Sequence, residues 1–72
     1  MKRMKVFVAF VIKGKKEVPV GVIGGYSEDD ARKLFACERK LSPKNIVVKW
    51  TPKVTFDEYN CALQRQESFL VA

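Results

Sequence analysis

The most apolar stretch of the chain is residues 4–12, Met-Lys-Val-Phe-Val-Ala-Phe-Val-Ile. It is rich in β-branched and aromatic residues and contains neither glycine nor proline. Apolar side chains at successive positions are typical of a strand that is covered on both faces. The pattern therefore predicts that residues 5–12 form the central strand of a small sheet.

Two further strands are predicted beside this one. Residues 13–16, Lys-Gly-Lys-Lys, form a hairpin turn in which Gly14 supplies the backbone freedom that a tight turn needs. Residues 17–23 return as the second strand. Pro19 places this strand at an edge of the sheet, because proline cannot donate a hydrogen bond to a neighbouring strand. Residues 46–51 form the third strand.

The pattern changes to helical spacing in two places. Residues 24–26, Gly-Gly-Tyr, end the second strand, and Ser27 with Asp30 forms a capping pair that begins a helix. Thr55 with Glu58 forms a second capping pair before a weaker helical pattern. The predicted apolar stripes are Ala31, Leu34, Phe35 and Leu41 in the first helix, and Phe56, Tyr59 and Leu63 in the second, which covers residues 56–67.

These elements give the order β-β-α-β-α in one small α+β domain that spans residues 1–72. The hairpin makes the first two strands antiparallel. The first helix then returns the chain, so that the third strand pairs antiparallel with the first. The result is a three-stranded antiparallel sheet with strand order 2-1-3 and one helix on one face. The sequence leaves the placement of the C-terminal helix open.

The two faces of the sheet follow from the alternation of side chains along each strand. We predict that the first helix covers the face formed by Val6, Val8, Phe10, Ile12, Val18, Val20, Val22, Ile46, Val48 and Trp50. The opposite face, called the odd face, consists of Phe7, Ala9, Val11, Pro19, Gly21, Ile23 and Val47, bordered by Lys5, Lys13 and Lys49. Left bare, it is an apolar patch large enough to be a binding site. Either the second helix covers it, or a partner does.

Charge narrows the classes of partner. The chain has 14 Lys and Arg residues against 8 Asp and Glu, which gives a net charge of +6. This excess favours nucleic acid or an acidic protein surface as the partner, although small domains also carry such a charge for solubility alone.

No membrane partner is expected, because the uncharged apolar run of residues 6–12 is far shorter than the ~18–20 residues of a membrane span. No signal peptide is expected either, because that run ends at Lys13 without a small-residue cleavage site.

The residue types that carry most enzyme chemistry are scarce. The chain has no histidine, and its carboxylates cluster at the predicted helix starts, where capping accounts for them. Two cysteines, Cys37 and Cys61, are too few for a zinc site. Both fall in predicted helices, where we expect them in the core of a protein in a reducing cytoplasm. The sequence therefore predicts a cytoplasmic protein that is not an enzyme and holds no metal or cofactor.

A family resemblance rests on a series of short motifs. They are Phe7-Val8-Ala9-Phe10-Val11, Glu17-Val18-Pro19, Ser27-Glu28-Asp29-Asp30-Ala31, Pro43, and Lys49-Trp50-Thr51-Pro52. In this order, residues 5–52 resemble the small host RNA-polymerase inhibitor of podophages. The resemblance implies that basic residues of the last strand contact an acidic surface of the polymerase. Lys49 stands at one of these basic positions and Thr51 at the other, and the helix after Thr55 has no counterpart in the family.

The sequence thus favours a small basic binding protein of a phage or mobile element that inhibits or redirects a host protein complex in the host cytoplasm. A basic rim would steer the encounter, and the odd face or a sheet edge would supply affinity. The alternative is a nucleic-acid-binding module that uses the same face, with Phe7 stacking on a base. A third reading is a homodimer through the odd faces or the edge strands. The residues predicted to contact the partner are Lys5, Phe7, Lys13, Lys15, Lys16 and Lys49.

Overall fold

The computed structural model describes residues 3–71, with the side chains of residues 3–66. Its elements are β1 (Lys5–Lys13), β2 (Lys16–Gly25), α1 (Glu28–Arg39), β3 (Ile46–Trp50) and α2 (Phe56–Val71). Single turns of 3₁₀ helix, Pro43–Asn45 and Thr51–Lys53, flank β3. The α+β class and the order β-β-α-β-α are confirmed.

The sheet has the predicted order β2-β1-β3, with β1 antiparallel to both neighbours. The most apolar strand is therefore central, and Pro19 lies on an edge strand. However, β2 continues through Gly24 and Gly25, so the prediction that these glycines end the strand is wrong. Gly25 allows close packing, because a Cβ at this position would lie 3.0 Å from the backbone nitrogen of Ala31 in α1.

Helix α1 packs on the side of β1 opposite to the one predicted, whereas its predicted packing on Ile46 and Val48 of β3 is confirmed. The core under α1 consists of Phe7, Ala9, Ile23, Ala31, Phe35, Ala36, Ile46 and Val48, with Val11 and Val20 packed against it. The core under α2 consists of Val8, Phe10 and Ala62, with Val22, Val47, Val54 and Tyr59 packed against it. The assignment of α1 to the face of Val8 and Phe10 is therefore wrong. Both faces of β1 are apolar, so its alternation does not indicate which helix packs on which side.

A β-bulge in β2 also changes which residues share a face. Ala9 pairs with Gly21, but the next residue of β1, Phe10, pairs with Pro19, so Val20 is the additional residue of β2. The alternation shifts by one position at this point. The core contacts and the strand register together give the residues of the face under α1. They are Phe7, Ala9, Val11, Val18, Val20, Gly21, Ile23, Ile46, Val48 and Trp50.

Neither face of the sheet is open in the described part of the chain. Of the odd face predicted as a binding patch, Phe7, Ala9 and Ile23 lie in the core under α1, whereas Val47 and Pro19 lie on the α2 side. The apolar stripe of α2 also differs from the prediction, because Phe56 is 76% exposed and Ala62 is buried instead. The prediction of an open odd face is therefore wrong, since most of that face forms the core. A homodimer through the edge strands stays a prediction.

The edge of β2 is protected by side chains of α2. The Gln66 side-chain oxygen accepts a hydrogen bond from the Val22 N–H at 2.6 Å. The Arg65 guanidinium donates to the Pro19 carbonyl oxygen at 3.1 Å. These contacts satisfy edge groups that would otherwise be available to another strand.

Helix α1 begins at the predicted cap and ends at a left-handed residue that was not predicted from the sequence. The Ser27 hydroxyl accepts a hydrogen bond from the Asp30 N–H at 3.1 Å. The helix ends where Lys40 adopts the left-handed conformation, and the Leu41 N–H then donates to the Ala36 carbonyl at 2.9 Å. Among the described residues, no helix has both the length and the apolar composition needed to cross a membrane.

The cysteines lie differently from the prediction. Cys37 is exposed and Cys61 is half-buried, and both are free thiols. The expectation that Cys37 is a core residue is wrong, because the buried side of α1 is formed by Ala31, Phe35 and Ala36.

The capping box of α2 predicts an acid-sensitive contribution to stability. The Glu58 carboxylate accepts a hydrogen bond from the Thr55 N–H at 2.9 Å, and the Thr55 hydroxyl accepts one from the Glu58 N–H at 3.1 Å. The hydrogen bond from the Thr55 backbone lowers the pKa of Glu58 below its ordinary value of 4.5. Folding therefore favours the carboxylate, and this stability is present above about pH 4.5 and is lost as the pH falls through the lowered pKa.

We expect Glu58→Gln to flatten this acid dependence. Urea unfolding of both proteins at neutral pH and at steps below pH 4.5 measures it. The variant should lose less stability on acidification than the wild type. Equal losses in the two proteins would show that Glu58 does not contribute to the acid response.

Candidate functional site

A groove of about 620 Å³ lies on the α1 side of the sheet, between the end of α1 and the β1–β2 hairpin. Its size is within the range of ligand pockets in proteins. The residues that line it are Val11, Lys13, Val18, Val20, Phe35, Arg39, Leu41 and Arg65. Five of these are apolar and three are cationic.

Two local features of the backbone build the apolar floor and wall. The bulge at Val20 brings Val18 and Val20 onto the α1 side, where they meet Phe35. The left-handed turn at Lys40 ends α1, and Leu41 follows as one wall of the groove with 44% of its surface exposed. The result is a concave apolar surface of the kind that holds a large side chain of a partner.

The rim of this groove is positive. Lys13 ends β1, Arg39 lies over the Phe35 ring at 5.3 Å from its centroid, and Arg65 extends from α2 past the edge of β2. None of the eight described residues that line the groove is acidic. An apolar group that carries carboxylates beside it is therefore complementary to this site, because arginine and lysine bind carboxylates through charged hydrogen bonds.

Three of the predicted contact residues lie at this end of the molecule. Lys13, Lys15 and Lys16 belong to the hairpin, all three are exposed, and Lys13 lines the groove. Lys5 lies at the other end of β1, about 26 Å away for a strand of nine residues. Its ammonium is 4.9 Å from the centroid of the Trp50 ring. The predicted lysines therefore do not form one surface.

The Lys49 side chain already forms an ion pair and a cation–π contact within the fold. Its ammonium is 2.9 Å from a carboxylate oxygen of Glu17 and 5.0 Å from the centroid of the Phe10 ring. Phe10 belongs to the core under α2, so Lys49 lies on the face opposite the groove.

Phe7 is placed incorrectly by the prediction. Only 2% of its surface is exposed, because α1 packs over it. A base or a partner therefore cannot stack on Phe7 in the folded protein, and the prediction of Phe7 as a contact residue is wrong.

Several groove residues were missed by sequence reasoning. Leu41 was assigned to the apolar stripe of α1, and Arg39 was not among the predicted contact residues. Arg65 belongs to the helix whose placement the sequence leaves open, so nothing in the sequence connects it with Lys13. The end of α1 is the sequence signal that could have located Leu41, because an apolar residue directly after a helix C-terminus commonly packs near the last turn.

The side chains that line the groove are suited to binding a ligand or partner. Its polar groups are guanidinium and ammonium groups, which donate hydrogen bonds and attract anions. No cluster of three or more His, Cys, Asp or Glu side chains that could hold a metal ion occurs among the described residues.

Comparison with protein-family models, curated proteins and solved structures gives no match to this chain.

Proposed function

We propose that this protein is a non-enzymatic binding module that docks on an acidic surface of a larger protein complex and inhibits or redirects it. The observation that carries the proposal is the apolar groove whose rim is cationic and whose described lining contains no acid. The net charge of +6 would accelerate encounter with an acidic partner.

The partner segment that fits this groove has a large apolar anchor flanked by carboxylates. Val18, Val20 and Leu41 offer the apolar contact area, and burial of an anchor against them supplies affinity. Lys13 comes from the end of β1 and Arg65 from α2, so two cationic side chains from different elements can bind carboxylates beside the anchor. Lys15 and Lys16 extend the positive surface beyond the hairpin turn.

The RNA polymerase of a bacterial host remains the predicted example of such a complex, on the basis of the resemblance to the podophage inhibitor. The contact position that the resemblance assigns to Lys49 is less favourable, because Lys49 already pairs with Glu17. The groove and the hairpin are the better candidates for contact with an acidic surface of that polymerase.

A selection from a random peptide library tests this function, because it requires only the immobilised protein and a pool of peptides. We expect the protein to enrich peptides in which an aromatic or aliphatic residue is flanked by Asp or Glu. Leu41→Ser should weaken binding of the selected peptides by about tenfold or more, because it removes apolar contact area at the groove wall.

Leu34→Ser is the matched control for this variant. Leu34 is also a leucine associated with α1 and is 45% exposed, against 44% for Leu41, but it does not line the groove. It should bind the selected peptides like the wild type. Absence of any acidic-apolar consensus, or equal loss in the two variants, would contradict docking at the groove.

A further inference from the structure

A second concave site lies at the opposite end of α1. It has a volume of about 390 Å³ and is lined by Lys5, Phe7, Tyr26, Ser27, Glu28, Trp50 and Lys53. Tyr26 is 51% exposed and Trp50 is 38% exposed. Two large aromatic side chains are thus accessible beside two lysines, at the end of the sheet farthest from the hairpin.

The lysines at this site are available to an anion. The Lys5 ammonium lies 4.9 Å from the centroid of the Trp50 ring, and the charge is held there by a cation–π contact. In the described part of the chain, neither Lys5 nor Lys53 has a carboxylate within ion-pair distance. Both ammonium groups therefore keep their capacity to bind phosphate oxygens.

We propose that this site binds a short segment of single-stranded nucleic acid. A base would stack on the exposed ring of Tyr26, beside Trp50, and Lys5 and Lys53 would contact the flanking phosphates. Exposed aromatic rings next to cationic side chains are the elements that proteins use for unpaired strands, because every base has a face that stacks. A duplex does not fit this arrangement, since its bases are already stacked.

Glu28 is the one acidic residue in the described lining, and it restricts the orientation of the bound nucleic-acid segment. Its carboxylate repels phosphate but can accept a hydrogen bond from an amino or imino group of a base. The base is therefore placed toward the start of α1 and the phosphates toward Lys5 and Lys53. This site is separate from the groove and does not depend on the function proposed for it.

The single tryptophan of the chain, Trp50, is a built-in reporter for this site. The experiment is a titration of the full chain with a short oligothymidylate, in which tryptophan fluorescence is measured at several salt concentrations. We expect saturable quenching that weakens as salt is raised. Tyr26→Ala should weaken binding by about fivefold or more, through the loss of a stacking surface. Lys53→Ala should lower the salt slope by about 0.7, the value for one phosphate of a single strand.

Lys15→Ala is the matched control, because Lys15 is an exposed lysine at the hairpin, on the other end of β1. It should leave the quenching curve and its salt slope unchanged. The proposal is overturned if oligothymidylate does not change Trp50 fluorescence, or if duplex DNA binds equally well. It is also overturned if Lys15→Ala has the effect expected of Lys53→Ala, or if an acidic peptide quenches Trp50 where the oligonucleotide does not. Circular dichroism of each variant confirms that the fold is retained.

Discussion

Phe7→Ala should destabilise the protein by roughly 3–5 kcal/mol, the usual cost of truncating a buried phenylalanine. Phe7 is 2% exposed and lies in the core under α1 with Ala9 and Phe35. A chain of 72 residues has a total stability of roughly 4–11 kcal/mol, so this single change removes a large part of it. Urea unfolding followed by circular dichroism measures the loss directly.

Phe56→Ala is the matched control for this prediction. Phe56 is 76% exposed at the start of α2, and its truncation should change the free energy of unfolding by no more than about 0.5 kcal/mol. If Phe7→Ala left the stability unchanged and only weakened binding of a partner, the packing of α1 on this face of the sheet would be wrong.

Gly25→Ala should destabilise the protein by roughly 1–3 kcal/mol, the cost of placing an additional methyl group in a packed interior. The added Cβ would lie 3.0 Å from the backbone nitrogen of Ala31 and 3.1 Å from its Cα. These atoms belong to the backbone of α1, so they can move only if the helix shifts away from the sheet. The measurement is again the free energy of unfolding in urea.

Gly24→Ala separates this packing effect from the general cost of changing a glycine in a strand. A Cβ at Gly24 would meet the Met4 sulfur at 3.2 Å, and Met4 is a flexible side chain that is 64% exposed. Since that side chain can move into solvent, the change should be within about 0.5 kcal/mol of neutral. Equal destabilisation by the two substitutions would show that α1 does not pack closely on Gly25.

The strand order and the helix starts were predictable because their signals are local and independent. The apolar run of β1 indicates a central strand, and Pro19 indicates an edge, so the two signals agree on the same arrangement. Ser27 and Thr55 cap their helices through contacts within one turn, which the spacing of residues already specifies.

The assignment of the faces was not predictable from the same pattern. Both faces of β1 are apolar, so the sequence pattern does not indicate which helix packs on which face. The bulge at Val20 adds one residue to β2 and reverses the alternation beyond it. Pro19 and Gly21 flank this position, and such residues often accompany a bulge, but they do not specify which residue is the additional one. The bulge moved Val18 and Val20 to the face under α1, whereas Phe7 pairs with Ile23 as the alternation predicts. Phe7 was predicted to be open because α1 was assigned to the other face of β1.

The candidate site was predictable only where its residues are close in sequence. Lys13, Lys15 and Lys16 are together because they belong to one hairpin turn. Leu41 and Arg65 join Lys13 only through the packing of α1 and α2 on the sheet, which depends on the faces that each helix takes. The sequence therefore predicted a basic surface at the hairpin, but it could not predict the groove beside it.

We propose above that the groove beside the hairpin binds an acidic, apolar segment of a partner. The most direct test is an NMR titration of the ¹⁵N-labelled chain with a peptide recovered from the library selection. We predict that the largest amide shift changes occur at Val18, Val20 and Leu41, and that the Trp50 indole signal is unaffected. Shift changes centred on Trp50 and Lys5, with none at the groove residues, would show that the peptide does not bind at the groove.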